Sequence, residues 1–224
     1  MAGAAQKKPP RKPKVLGLTG SIAMGKSHAA NGFRGLGVPV FDADEAVHTL
    51  MGPGGAAHAG VAALFPDAVT NATIDRRKLG AIVFADAAAL ARLERFLHPL
   101  VHIYEDVFLR GAAAAGHDFV VLEIPLLFET DGGARCDAVA VVTAPGPVQE
   151  ARALKRPGMT AEKLAGVRAR QMPDVEKCRA ADFVIDTSRP KEETLRAIEN
   201  IATVMKDFAR SGADDFKTWK ESHA

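Results

Sequence analysis

The stretch "KVLGLTGSIAMGKSHAA", Lys14–Ala30, decides the fold. Its first residues are a nearly continuous apolar run that stops at Thr19-Gly20. A short loop then closes on Gly25-Lys26-Ser27, and a run of small residues follows. An apolar run without alternation is expected of a strand covered on both faces, as in a parallel sheet. The loop matches the pattern G-x-x-x-x-G-K-[ST]. Successive backbone N–H groups in such a loop turn inward and form a nest for an anion. The N-terminus of the helix behind it adds unpaired donors and a positive dipole end. Gly20 and Gly25 permit the tight backbone and its close approach to the ligand.

With a strand before the loop and a helix after it, the anion is expected to be a nucleotide polyphosphate. Gly20, Ser21, Ile22, Ala23, Met24, Gly25, Lys26 and Ser27 would cradle its phosphates. Lys26 reaches the β- and γ-phosphates, and the Ser27 hydroxyl is placed to ligate Mg²⁺.

Four further segments read as buried strands: Val38–Phe41, Phe119–Ile124, Asp137–Ala144 and Asp182–Asp186. With Lys14–Thr19 they make five, separated by Ala- and Leu-rich stretches of helical spacing, so the expected fold is α/β with a five-stranded parallel sheet. The interval from residue 42 to 118 is too long for one crossover. It holds helix candidates at Glu45–Met51, Gly55–Leu64, Asp75–Phe84 and Ala87–Ala114, and is read as a helical lobe inserted into the sheet domain. The expected division is a core of residues 14–44 and 117–206, a helical insertion at about 45–116, and a lid at about 150–178 within the core. The lid stretch carries Arg152, Lys155, Arg156, Lys163, Arg168 and Arg170. A mobile basic lid and an ordinary solvated face compete for it. Pro157-Gly158 breaks the stretch, and Thr160 opens a new helix. Residues 1–13, "MAGAAQKKPPRKP", are read as a disordered basic arm, and 207–224 as a polar tail that frays or packs loosely.

The chain of 224 residues is 47% hydrophobic, with a net charge of +2. That charge does not argue for nucleic acid. Cys136 and Cys178 form no disulfide framework or metal-ligand pattern, and a reducing cytoplasm is the simple expectation. No apolar run reaches the length of a membrane span, and no secretory leader is evident in the basic start.

Acidic residues at strand ends are the remaining candidates, because ligands bind outside the carboxyl ends of parallel strands. "FDADEA" offers Asp42 and Asp44. Either can cap the following helix, and either can act as general base toward a hydroxyl. Capping is favoured for Asp42 and catalysis for Asp44. "VVLEIPLLFE" offers Glu123 as a water-mediated Mg²⁺ ligand; Glu129 either does the same or caps a turn. His98, in "FLHPLV", reads as a structural histidine.

The ordered set "GLTGSIAMGKS", "VFDADE", "IDRRKLGAIVF", "LERFLHPLV", "VVLEIPLLFE" and "RQMPDVEKCRAADFVID" resembles the dephospho-coenzyme A kinases. It spans Lys14 to about Asp186. The resemblance implies a P-loop kinase core with a helical substrate lobe and a lid. It implies transfer of the ATP γ-phosphoryl to the ribose 3′-hydroxyl of dephospho-CoA, with ATP and Mg²⁺ as cofactors; a monomer or weak homo-oligomer is expected. The alternative is another small-molecule P-loop kinase, acting on a nucleoside, nucleotide or sugar. By position the resemblance makes Asp44 the base, gives Lys26 and Ser27 the loop roles, and sets Arg152 and Arg156 in the lid. It puts His98 near the acceptor and Arg76 on an acceptor phosphate. Ser21 and Ala23 stand where the family has glycines, and His28, which ends the ATP-binding stretch, where it has threonine. A negative φ is therefore expected at Ala23. Thr187-Ser188 stands where the family often has asparagine, so adenine contacts there would be mostly backbone.

Overall fold

A computed structural model describes residues 11–223. Its central strand is β1 (Lys14–Thr19), paired in parallel with β5 (Phe119–Glu123) on one side and β6 (Ala138–Thr143) on the other. The full order is β2-β5-β1-β6-β7, with β2 at Val40–Asp42 and β7 at Phe183–Asp186. All five expected strands are present, shorter by one or two residues at some ends. Leu16, Leu18, Val120, Val121 and Leu122 are fully buried, each worth about 1.5–3 kcal/mol of apolar burial. This explains why these strands are apolar throughout. Register places Glu123 beside Leu18 and Asp186 beside Thr143, so the carboxyl ends of β5, β1, β6 and β7 meet along one edge.

The described chain divides into two compact units: residues up to Phe41 together with those from Leu109 on, and Asp42–Phe108. In the first, α1 (Lys26–Gly35) and α9 (Lys191–Ser211) cover the sheet. Buried positions of α9 at Thr194, Ile198, Ile201, Ala202, Met205, Phe208 and Ala209 follow the helical period. This unit also holds α6 (Gly146–Leu154), α7 (Ala161–Arg168), α8 (Asp174–Ala180) and α10 (Phe216–Glu221). Thr160 caps α7, its hydroxyl accepting from the Lys163 N–H at 3.3 Å, as the sequence predicts.

The C-terminal stretch does not pack loosely. Phe216 is 2% exposed and lies 5.1 Å from Phe208 and 5.9 Å from Trp219, between ring centroids. The polar residues of this segment face outward and hide three large apolar side chains that a composition reading averages away. Residues 1–10 of the expected arm lie outside the described residues; Pro13 is buried.

The second unit has its own core, built on Leu50, Val61, Phe65, Leu79, Val83 and Leu97. Its helices are α2 (Ala43–Met51), α3 (His58–Leu64), α4 (Arg76–Ala85) and most of α5 (Ala87–Ala114). The sequence reading missed a two-stranded antiparallel hairpin, β3 (Val69–Thr70) with β4 (Thr73–Ile74). Asn71 and Ala72 form its turn with φ of 50° and 58°, the two positive values a type I′ turn requires. Strands of two residues are too short to leave a periodic signal.

Candidate active site

The loop Gly20–Ser27 joins β1 to α1. Gly25 is the residue ahead of α1, with φ 91° and ψ 21°. A Cβ there would fall 2.8 Å from the Thr187 hydroxyl oxygen, so glycine is required twice over, by conformation and by space. Gly20 is held by space alone: a Cβ would meet the Val142 carbonyl oxygen at 2.6 Å.

Ala23 departs from expectation. Its φ is +61°, not negative. The loop's path through this position is left-handed, and the methyl group costs about 1 kcal/mol there. Packing offsets that cost, because Ala23 is buried against Ala153 of α6 and Leu164 of α7.

Lys26 Nζ donates to Glu123 Oε1 at 2.8 Å. The register of β5 with β1 brings the two together, since Glu123 ends the strand beside the one that feeds the loop. The Glu123 side chain is 3% exposed. Its Oε2 is buried without a hydrogen-bond partner among the described residues, with an Arg34 nitrogen 3.9 Å away. Ser27 and His28 are exposed on the first turn of α1.

Arg152, on α6, reaches the loop through one residue. Its guanidinium donates to the Thr187 hydroxyl at 2.9 Å and to the Thr187 carbonyl at 2.8 Å. The Thr187 hydroxyl in turn donates to the Met24 carbonyl at 2.6 Å. Sequence reading noticed Thr187 only as a departure from the family. Arg156, beyond the end of α6, is exposed. A cavity of about 480 Å³ opens beside the loop, lined by Met24, Thr143, Pro145, Gln149, Asp174 and Asp186. Hydrogen bonds from Ser188 hold the Asp186 carboxyl below its usual range.

Glu129 is engaged by the stretch that follows α7 and by α8. Its Oε1 pairs with Lys177 Nζ at 2.8 Å and accepts from the Met172 N–H at 2.8 Å. Burial pushes its carboxyl up, but the bonds from Lys177 and Met172 outweigh burial and hold it below the usual value. Its Oε2, like that of Glu123, is buried without a hydrogen-bond partner among the described residues.

Asp44, Arg76 and His98 all belong to the second unit. Asp42 caps α2, its Oδ1 accepting from the Glu45 N–H at 3.1 Å. Asp44 sits exposed in the first turn of the same helix. Arg76 begins α4 and lies 3.4 Å from His48 Nδ1. His98 is exposed on α5, its ring 6.4 Å from that of His102. Among the described residues there is no group of three or more His, Cys, Asp or Glu side chains suited to a metal ion, and no helix is long and apolar enough to cross a membrane.

Residues 14–193 match the family model described as dephospho-CoA kinase. The chain belongs to the dephospho-CoA kinase family. It is 54% identical over 187 residues to a dephospho-CoA kinase of Mesorhizobium japonicum, covering 84% of this chain and 94% of that one. A dephospho-CoA kinase of Rhodospirillum rubrum is 49% identical over 210 residues, covering 93% and 98%. The crystal structure of TT1252 from Thermus thermophilus matches with a TM-score of 0.76 at 31% identity, covering 86% of this chain and 98% of that one. Family membership thus accounts for the order of the motifs along the chain. The phosphate loop, Glu123, Arg152 and Arg156 lie in the first unit, and Asp44, Arg76 and His98 in the second.

Proposed function

We propose that this chain transfers the γ-phosphoryl group of ATP to the ribose 3′-hydroxyl of dephospho-CoA, giving CoA and ADP. The observation that carries the reading is the Gly20–Ser27 loop, with Lys26 at its end, in a chain of this family. The loop's N–H groups hold the phosphates of ATP. Lys26 exchanges Glu123 for the phosphate oxygens and neutralises charge on the migrating group. Arg152 and Arg156 add positive charge to the same group; phosphoryl transfer depends mainly on such positioning and neutralisation. Asp44 orients the 3′-hydroxyl and accepts its proton. Arg76 binds an acceptor phosphate, and His98 lies on the acceptor side.

The side chains fit Mg²⁺. Glu123 Oε2 is an unpartnered carboxylate oxygen and the Ser27 hydroxyl is exposed, and Mg²⁺ takes a few hard oxygen ligands while keeping several waters. Ser27 would hold the ion directly and Glu123 through water, and the ion when bound supplies charge neutralisation to the β- and γ-phosphate oxygens. We place the enzyme in the cytoplasm, a reading supported by Cys178, whose thiol is in no disulfide.

The test is ADP release with ATP and Mg²⁺, measured with and without dephospho-CoA, and product identification by mass. Dephospho-CoA-dependent ADP release with CoA as product is the expected result. ADP release that responds only to a nucleoside or sugar would overturn the acceptor assignment.

A further inference from the structure

The segment "RARQMPDVEK", Arg168–Lys177, has no role in the chemistry above, yet two of its side chains reach one residue of the phosphate loop, Gln171 directly and Arg168 through Gln149. The Ile22 N–H donates to Gln171 Oε1 at 3.1 Å. The Ile22 carbonyl accepts from Gln149 Nε2 at 2.8 Å. Gln149 is 5% exposed, and its Oε1 accepts from Arg168 at 2.6 Å. Both backbone groups of Ile22 are therefore taken by side chains, one from α6 and one from the stretch that follows α7. The Ile22 carbonyl belongs to the peptide that leads into Ala23, the residue with φ +61°.

The far end of the segment is anchored as well. Lys177 is fully buried and pairs with Glu129, which also accepts from the N–H of Met172. Met172 is the neighbour of Gln171, so the same carboxylate that pairs with Lys177 also holds the backbone next to the residue that meets Ile22.

We propose that Gln149 and Gln171 are positioning residues that hold the phosphate loop in its ATP-binding shape, and that Arg168 and the Lys177–Glu129 pair make that shape depend on the seating of the Arg168–Lys177 segment. The chemistry at each site is specific. Ile22 N–H needs an acceptor, and Ile22 C=O needs a donor. Gln149 must donate to one partner while accepting from another, which an amide does and a carboxylate or thioether does not. A loop that pays for a left-handed alanine needs such outside restraint, because strained backbone persists only where its surroundings over-determine it.

The proposal rests on Gly20–Ser27 being the ATP phosphate loop. The experiment measures KM for ATP, KM for dephospho-CoA, kcat and Tm for Gln149→Met, Gln171→Met, Arg168→Met and the Arg168→Met/Gln149→Met pair. Each glutamine variant is expected to lose about tenfold in kcat/KM for ATP, the worth of one buried hydrogen bond with its partner left unmade. KM for dephospho-CoA should stay within about twofold. Arg168 acts through Gln149, so the pair should be no worse than Gln149→Met alone. Unchanged kcat/KM for ATP in both glutamine variants overturns the proposal. So does an additive pair, or equal loss toward both substrates together with a fall in Tm. If Gln149→Met does not fold, Arg168→Met at an exposed position and Gln171→Met at a half-buried one carry the same ATP-specific test. Full activity in Lys26→Ala would instead sink the loop reading itself.

Discussion

Lys26 Nζ and Glu123 Oε1 lie 2.8 Å apart, and the Glu123 side chain is almost wholly buried. Each therefore has a structural function beside the chemical one proposed for it, and single substitutions mix the two. Lys26→Ala is expected to cut turnover by at least roughly a hundredfold, through loss of charge on the migrating phosphoryl. It should also cost stability, up to about 3 kcal/mol, because Glu123 stays buried and keeps only the longer, 3.9 Å pairing to Arg34. Adding Glu123→Gln should recover much of that stability and none of the activity. Denaturant unfolding and a turnover assay on the three variants check this.

Asp42 and Asp44 are two residues apart and differ in what they touch. Asp42→Ala removes the cap of α2 and is expected to cost about 1 kcal/mol of stability, with turnover within about tenfold. Asp44→Asn removes the proposed proton acceptor, and a loss of roughly 10²–10⁴ in turnover is expected, with ATP affinity kept. Near-normal turnover in Asp44→Asn would remove it as the base.

Glu129 gives a pH signature. Its carboxyl is held below its usual value in the fold by Lys177 and Met172, against the upward push of burial. A depressed folded value contributes stability that is fully present above the unfolded value of about 4.3 and is lost as pH falls through the folded one. Glu129→Gln should therefore be less stable than the parent at neutral pH, with the difference closing below about pH 4. A difference that persists unchanged into acid would mean that the Lys177 pair contributes nothing.

Phe216 tests the C-terminal packing. It is 2% exposed and touches Phe183, Phe208 and Trp219. Phe216→Ala is expected to cost about 3 kcal/mol or more in denaturant unfolding, with KM for both substrates unchanged. A negligible change would mean the segment is a loose tail.

What the sequence by itself determined is local or nearly so. Five apolar runs specify a parallel sheet, because strands buried on both faces admit no polar alternation. Gly20, Gly25, Lys26 and Ser27 specify a phosphate loop within eight consecutive residues. The helices at Ala87–Ala114 and Asp75–Phe84 were legible from spacing within a residue or two. Tertiary structure decided everything that depends on distant segments meeting. Lys26 meets Glu123 across 97 positions, and Ile22 meets Gln171 across 149. Thr187 closes on Met24 across 163. No periodicity records such pairs, since each is set by sheet register and by where a crossover returns. The positive φ of Ala23 is of the same kind. Alanine's own preference points the other way, and the packing of Ala153 and Leu164 against its methyl overrules it.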